Sequence, residues 1–202
     1  MRPQLIALPV LLLAGCSQPT ERVRVAPAVA VVEAEPIPPA ANPLVGGVVV
    51  PVDRTLAADI AAVPTLSVLN RAAAAAELSA TLAGPGPVTL FAPTDEAFGR
   101  LAPGTVDALL KPENRAALGK LINLHIVPGR LTSTELIRRV TAGGGRATLT
   151  SAAGEMLTVT MTGAIVTLTD AGGNRSYLET ADVRGTNGVM HVVNGVLVPR
   201  LP

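Results

Sequence analysis

The apolar residues of this chain change their spacing once, near Gly143, and this change limits the fold more than any other feature of the sequence. Upstream, Leu56, Ile60 and Val63 recur at the spacing of one helix face. Downstream, the runs RATLTS, MLTVTM and AIVTLTD alternate apolar residues with threonine, as half-buried strands do. Helices followed by a block of antiparallel strands predict an α+β domain rather than a repeated βαβ unit.

Local signals place further elements in the helical half. The run VTLFA, residues 88–92, follows the turn signal GPGP and predicts a short buried strand. Thr94 precedes an acidic first turn and suits a helix N-cap, while Thr132 and Glu135 have the spacing of a capping box. Pro112 suits the first position of another helix.

The first residues, MRPQLIALPVLLLAGCS, combine a positive charge at Arg2 with an apolar run that is too short to span a membrane. Small residues before Cys16 resemble the lipobox of bacterial lipoproteins, in which that cysteine is acylated and becomes the mature N-terminus. We therefore expect a signal peptide over residues 1–15 and lipidation at Cys16; the alternative is an ordinary secretory signal cleaved nearby. Ser17 after the cysteine favours outer-membrane sorting if the source is Gram-negative.

Residues 16–54 contain many prolines among alanine and valine and predict a linker that carries the domain clear of the lipid. Within it, VGGVVVPV is apolar enough to add an edge strand, although Pro51 argues against a central one. The globular domain is expected over residues 55–202.

Charge and aromatic content exclude several kinds of partner. Lys and Arg number 16 against 15 for Asp and Glu, without a basic cluster, and the chain has only two Phe and one Tyr. Nucleic acid is therefore not an expected partner. The single cysteine excludes an intrachain disulfide, and the sequence contains no zincin, nucleophile-elbow or phosphate-loop motif. We expect no cofactor and no metal.

The two histidines, His125 in INLHIVPG and His191 in VMHVV, both have apolar neighbours and are predicted to lie in strands. The favoured interpretation is a buried, neutral imidazole that donates one hydrogen bond and accepts another. The alternatives are a general base, or a metal site that would need both histidines and carboxylates. A type I′ hairpin is predicted at Asn187-Gly188, with both residues in structural roles.

Three ordered segments resemble the fasciclin domain: VTLFAPTDEAFGRL at 88–101, LINLHIVPGRL at 121–131 and ADVRGTNGVMHVVNGVLVP at 181–199. The resemblance implies a wedge of two β-sheets with several helices packed around it. It also implies an adhesion or protein-binding module without general enzymatic activity.

Two family features implicated in adhesion map onto this chain as possible interaction residues. The Tyr-His pair falls on Leu124 and His125, so leucine stands where the family has tyrosine. The Asp-Ile pair falls on Asp182 and Val183.

The resulting hypothesis is a lipid-anchored module of the cell envelope, periplasmic or surface-exposed, which is not an enzyme. Its expected partners are an unidentified protein or extracellular macromolecule, and the membrane through the lipid. A periplasmic carrier of a small hydrophobic ligand is the main alternative. A hydrolase is a further alternative, and it would need a buried Ser or Asp within hydrogen-bond reach of a histidine.

Overall fold

The computed structural model describes residues 41–200. It contains seven α-helices and nine strands within that range, with short 3-10 turns before α2 and α6. The helices are α1 (Leu56–Ala62), α2 (Ser67–Ala75), α3 (Ser79–Ala83), α4 (Asp95–Gly99), α5 (Thr105–Leu109), α6 (Arg115–Leu124) and α7 (Ser133–Ala142). The strands are β1 (Leu44–Val45), β2 (Val48–Val49), β3 (Val88–Pro93), β4 (Ile126–Pro128), β5 (Arg146–Thr150), β6 (Met156–Thr162), β7 (Ile165–Thr169), β8 (Arg175–Gly185) and β9 (Gly188–Val193).

The α+β prediction is confirmed, with the change from helices to consecutive antiparallel strands after α7. The main sheet has the order β4-β3-β9-β8-β7-β6-β5, and only β3 and β9 pair in parallel. Strand β8 joins its two halves: residues 175–177 pair with β7, and residues 178–185 pair with β9 across a bulged stretch. Within residues 41–200, β8 is thus the one strand that pairs with both halves, which gives the two-sheet wedge expected from the resemblance.

Two apolar clusters fill the wedge, and β3 and β9 lie between them. Leu90 and Met190 contribute to the cluster shared with helices α1–α3 and α6. Phe91 and Val193 contribute to the second cluster, which is shared with α7 and the inward residues of β5–β7. Every residue of β9 is buried, because both faces of this strand are covered.

The predicted helix caps form as expected. The Thr94 side chain accepts a hydrogen bond from the Ala97 N–H at 3.2 Å, and the Thr132 side chain accepts one from the Glu135 N–H at 3.3 Å. The Glu135 carboxylate instead binds Arg138 and Arg139, at 2.8 and 2.7 Å. The threonine half of the capping box is therefore present, whereas the glutamate serves the exposed face of α7.

The sequence predicts that the globular domain begins at residue 55, but the packed region begins earlier. Strands β1 and β2 form a small hairpin, and Val45 and Val50 are each 1 % exposed within the first cluster. The Asn42 side chain donates to the Arg184 carbonyl at 2.8 Å and accepts from the Arg184 N–H at 2.7 Å. This side-chain amide thus pairs with β8 as a strand backbone would, and residues 42–50 belong to the domain.

Candidate functional site

His191 lies in the middle of β9 and is fully buried, as predicted. Its Nε2 lies 2.7 Å from the Leu131 carbonyl oxygen, and its Nδ1 accepts the Asp182 N–H at 3.2 Å. These partners require a neutral ring with the proton on Nε2. Burial lowers the pKa of His191 and favours the same neutral form. The ring also stacks on Phe91, with the centroids 5.5 Å apart.

Asp182 adopts a left-handed backbone, with φ of 60°, within the bulged stretch of β8. This conformation is uncommon outside glycine, although Asp tolerates it better than most residues. The carboxylate accepts hydrogen bonds from the Ser133 N–H, at 2.7 Å, and from the Ser133 hydroxyl. The Asp182 carboxylate therefore links the first turn of α7 to the bulge. Its backbone N–H donates to the His191 ring.

His125 does not lie in a strand, because α6 continues to Leu124 and His125 is its C-cap residue. Its Nδ1 donates to the Leu121 carbonyl at 2.9 Å, and its Nε2 accepts the Leu197 N–H at 3.0 Å. The ring bonds a carbonyl of the last helical turn, which strand periodicity did not predict. Burial lowers the pKa of His125 from 6.5 to about 4, so the neutral form prevails at physiological pH.

Asn187 and Gly188 both take structural positions, but not as a type I′ turn. Gly185 pairs with Gly188, so the two loop residues are Thr186 and Asn187, and neither has a positive φ. The Asn187 side chain accepts the Leu56 N–H at 3.0 Å and donates to two carbonyls near the end of α3. A Cβ on Gly188 would lie 2.0 Å from the Val88 carbonyl oxygen, so the close approach of β3 requires glycine.

The four possible interaction residues lie mainly in the interior. Leu124, His125 and Val183 are each 0 % exposed, whereas Asp182 is half-buried. A partner docking on the folded domain can therefore reach only the Asp182 side chain among them. Cys16, the predicted lipidation site, lies outside the described residues.

Within residues 41–200, no helix combines the length and apolar character needed to cross a bilayer. Over the same range, no three His, Cys, Asp or Glu side chains converge as metal ligands would. A small groove of about 420 Å³ lies between α1, α2 and α3, and most of its lining residues are alanine or other apolar residues. This groove is the candidate location for a small hydrophobic ligand.

A second surface emerges from strand register, which the sequence did not predict. The inward residues of β5–β7, such as Leu149, Leu157 and Leu168, are buried, so the alternate residues lie on the opposite face, where all but the 6 % exposed Thr167 are at least partly exposed. Pairing aligns Thr160 with Thr167 and Thr158 with Thr169 across neighbouring strands. These side chains line a groove of about 410 Å³, which we call the threonine face: Arg146, Thr158, Thr160, Thr162, Thr167, Thr169, Arg175 and Tyr177.

Comparison with known proteins agrees with the fold and the motifs. The chain is 38 % identical over 135 residues to protein sll1483 of Synechocystis sp., covering 67 % of this chain and 68 % of that protein. It is 32 % identical over 136 residues to transforming growth factor-beta-induced protein ig-h3 of Sus scrofa, covering 67 % of this chain but only 18 % of that longer protein.

Among solved structures, a FAS1 domain pair from the insect cell adhesion molecule fasciclin I superposes with a TM-score of 0.65 at 16 % identity, covering 72 % of this chain and 51 % of that one. At this identity the likeness concerns the fold. The sequence also matches the fasciclin domain family over residues 64–199. The wedge, the buried histidine of β9 and these matches agree, and the chain belongs to the fasciclin domain family.

Proposed function

We propose that this chain is a non-catalytic adhesion or protein-interaction module of the cell envelope. Fasciclin I, which shares the fold, is described as a cell adhesion molecule, and the family resemblance implies an adhesion or protein-binding role. In this proposal the fold is a rigid support that presents its loops and sheet faces to another macromolecule.

The hydrogen bonding of the two histidines is the observation that supports a non-catalytic role. All four ring nitrogens of His125 and His191 are engaged with backbone groups of the chain, at 2.7–3.2 Å. A general base must reach the proton that it abstracts, and within residues 41–200 neither ring has a side-chain nucleophile as its hydrogen-bond partner. This geometry supports structural imidazoles over the hydrolase hypothesis.

The anchor is proposed from the sequence alone. Acylation at Cys16 would hold the domain to a membrane, with the outer membrane favoured if the source is Gram-negative, and the domain would face the periplasm or the exterior. Durable anchoring requires more than one acyl chain, which lipoprotein processing would supply.

Fractionation of cells that express Cys16→Ser tests this anchor. We expect the variant in the soluble fraction or as an unprocessed precursor, whereas Ser17→Ala serves as a neighbouring control and stays with the membrane. A cleaved Cys16→Ser protein that still sediments tightly with membranes would contradict the proposal.

Binding is tested by affinity capture from membrane extract with the full chain as bait, followed by reconstitution with the purified partner. A direct complex with unchanged partner and no released product supports an interaction module. Turnover of the captured molecule would contradict the non-catalytic role.

The groove between α1, α2 and α3 favours a second candidate function, a carrier of a small hydrophobic ligand. Ile60 and Leu82 contribute its larger apolar side chains, and its volume of about 420 Å³ suits a small molecule. Organic extraction of the purified chain followed by mass spectrometry tests it. A stoichiometric lipid lost in Ala73→Glu would support the carrier role, and its absence would favour the interaction module.

A further inference from the structure

We propose that the threonine face binds an acidic polysaccharide. In this arrangement Arg146 and Arg175 hold carboxylates of the glycan, and the threonine hydroxyls hold its sugar hydroxyls. The inference rests on the proposed binding role and deepens it by naming the class of partner.

The charge of the face is positive and uncompensated. Arg146 and Arg175 line the groove, and among the described residues no Asp or Glu lines it with them. Neither guanidinium forms an ion pair or a side-chain hydrogen bond within residues 41–200, and both side chains are exposed. Guanidinium groups bind carboxylates in a bidentate manner, so these two positions select an anionic ligand.

The two arginines stand on different strands, at opposite sides of the groove. Arg146 pairs with Thr160, and Arg175 pairs with Thr169, so two intervening strands separate them. At the usual strand spacing, the backbones of β5 and β8 are about 14 Å apart. An extended ligand with repeated negative charges, such as an acidic glycan, matches this separation of the two strands.

The surface between the arginines is built from hydroxyl and methyl groups. Thr158, Thr160, Thr167 and Thr169 form two adjacent cross-strand pairs, in which Thr158, Thr160 and Thr169 are half-buried and Thr167 is only 6 % exposed. Each threonine hydroxyl both donates and accepts hydrogen bonds, which matches the paired capacity of a sugar hydroxyl. The threonine methyls and the ring of Tyr177, which is 41 % exposed, supply an apolar surface for the C–H faces of a sugar.

Other anionic macromolecules fit this surface less well. A peptide that adds to a sheet uses free backbone groups at an edge, which this face has only along β5, whereas β6 and β7, which carry the threonine pairs, are paired on both sides and offer only side chains. Nucleic acid binding uses several cations and aromatic stacking, whereas this face has two cations and a single tyrosine. The hydroxyl rows therefore favour a glycan over an acidic peptide or a nucleic acid.

Affinity electrophoresis and calorimetry of the full chain in detergent, with polygalacturonate as the probe, test the proposal. We expect binding that weakens with added salt, because exposed charge pairs are screened. The double variant Arg146→Gln/Arg175→Gln should bind about tenfold more weakly or worse. Thr160→Val, which keeps the shape but removes a hydroxyl, should weaken binding by about threefold.

The matched control is Arg71→Gln/Lys111→Gln, which removes the same charge from exposed positions on α2 and after α5. It should bind polygalacturonate as the parent does, and all variants should melt with the parent. Equal loss of binding in this control, or no loss in the arginine double variant, would overturn the proposal.

Three further ligands distinguish the alternatives. Neutral amylose should bind at least tenfold more weakly than polygalacturonate, and so should poly-glutamate and a single-stranded DNA oligonucleotide. Equal binding of either charged polymer would overturn the glycan assignment. If polygalacturonate fails to bind while a captured partner still forms a direct complex, this inference fails and the proposed interaction role survives.

Discussion

His125 and His191 make the same two kinds of hydrogen bond, but the donating and accepting ring nitrogens are exchanged between them. Each imidazole is 0 % exposed and neutral, and each joins one backbone carbonyl to one backbone N–H. His125 carries its proton on Nδ1 and joins the end of α6 to the segment after β9, through Leu197. His191 carries its proton on Nε2 and joins β9 to Leu131 and to the bulge of β8.

The difference between the two sites concerns access to the surface. The hydrogen-bond partners of His125 are backbone groups of the buried residues Leu121 and Leu197. The partner of His191 at Nδ1 is the half-buried Asp182, whose carboxylate holds α7. His125 is therefore isolated from solvent, whereas His191 belongs to a network that reaches the surface through one carboxylate.

The largest expected effect is loss of stability when either ring is removed. His125→Ala and His191→Ala should each lower the free energy of unfolding by about 3 kcal/mol, because each leaves two backbone groups without a partner and opens a cavity. Denaturant unfolding measures this loss. Amide hydrogen exchange should rise selectively at Leu197 in the first variant and at Asp182 in the second.

Selective exchange would show that the hydrogen bonds of His125 and those of His191 stabilise separate parts of the domain. If both amides exchange faster to the same extent in both variants, the two sites do not act separately. Nitrogen-15 spectra of the imidazoles provide a control on the parent protein, in which opposite tautomers are expected for the two rings.

The free energy of unfolding should also depend on pH through the buried histidines. The folded pKa of His125 is about 4 and its unfolded value is 6.5, so the unfolded state takes up the proton first as pH falls. Stability from His125 is therefore complete above pH 6.5 and is lost by about 3 kcal/mol as pH falls to 4. The lowered pKa of His191 acts in the same direction.

Asp59 has the opposite effect on the pH dependence of stability. Its carboxyl is 0 % exposed without a hydrogen-bond partner within residues 41–200, and burial raises its pKa from 3.8 to about 6. The unfolded state therefore loses the Asp59 proton first, and this contribution to stability falls as pH rises from 3.8 to 6. Asp59→Asn should stabilise the protein at pH 7 and steepen the loss of stability between pH 6.5 and 4.

The dependence of stability on pH in Asp59→Asn can be used to test whether His125 causes the loss of stability in acid. Adding His125→Ala to Asp59→Asn should remove a substantial part of the slope between pH 4 and 6.5, as followed by denaturant midpoints. A slope that is unchanged by His125→Ala would show that other groups set the acid dependence.

The smallest expected effect is at the surface end of the His191 network. Asp182→Ala should cost about 1 to 2 kcal/mol, because it removes two hydrogen bonds to Ser133 at the start of α7. Ser133→Ala, the matched control, removes only the hydroxyl and should cost less. If Asp182→Ala lowers the melting temperature while partner affinity in the folded fraction is preserved, Asp182 is not a contact residue.

Features that depend on neighbouring residues could be predicted from the sequence. The caps at Thr94 and Thr132 need only the next turn of helix, and the strand in VTLFA needs only a short apolar run between turns. The burial of His191 followed from its apolar neighbours in β9. In each case the physical cause lies within a few residues of the chain.

Features that depend on long-range pairing could not be predicted. Asn42 binds Arg184 across 142 residues of sequence, so nothing near Asn42 indicated that it belongs to the domain. The left-handed Asp182 results from the bulge between β8 and β9, and the threonine face results from the register of four strands. His125 was assigned to a strand because apolar neighbours on both sides fit a strand as well as a buried helix end.

The pairing of Asn42 with β8 also has a mechanical consequence. A tension applied to the chain on the N-terminal side of the domain is borne first by the Asn42 amide and its bonds to Arg184 and Val50. Because β8 is the strand shared by both halves of the sheet, part of this load passes directly into the centre of the wedge. In the proposed adhesive role, the domain would thus resist detachment under shear through the longest of the strands described in residues 41–200.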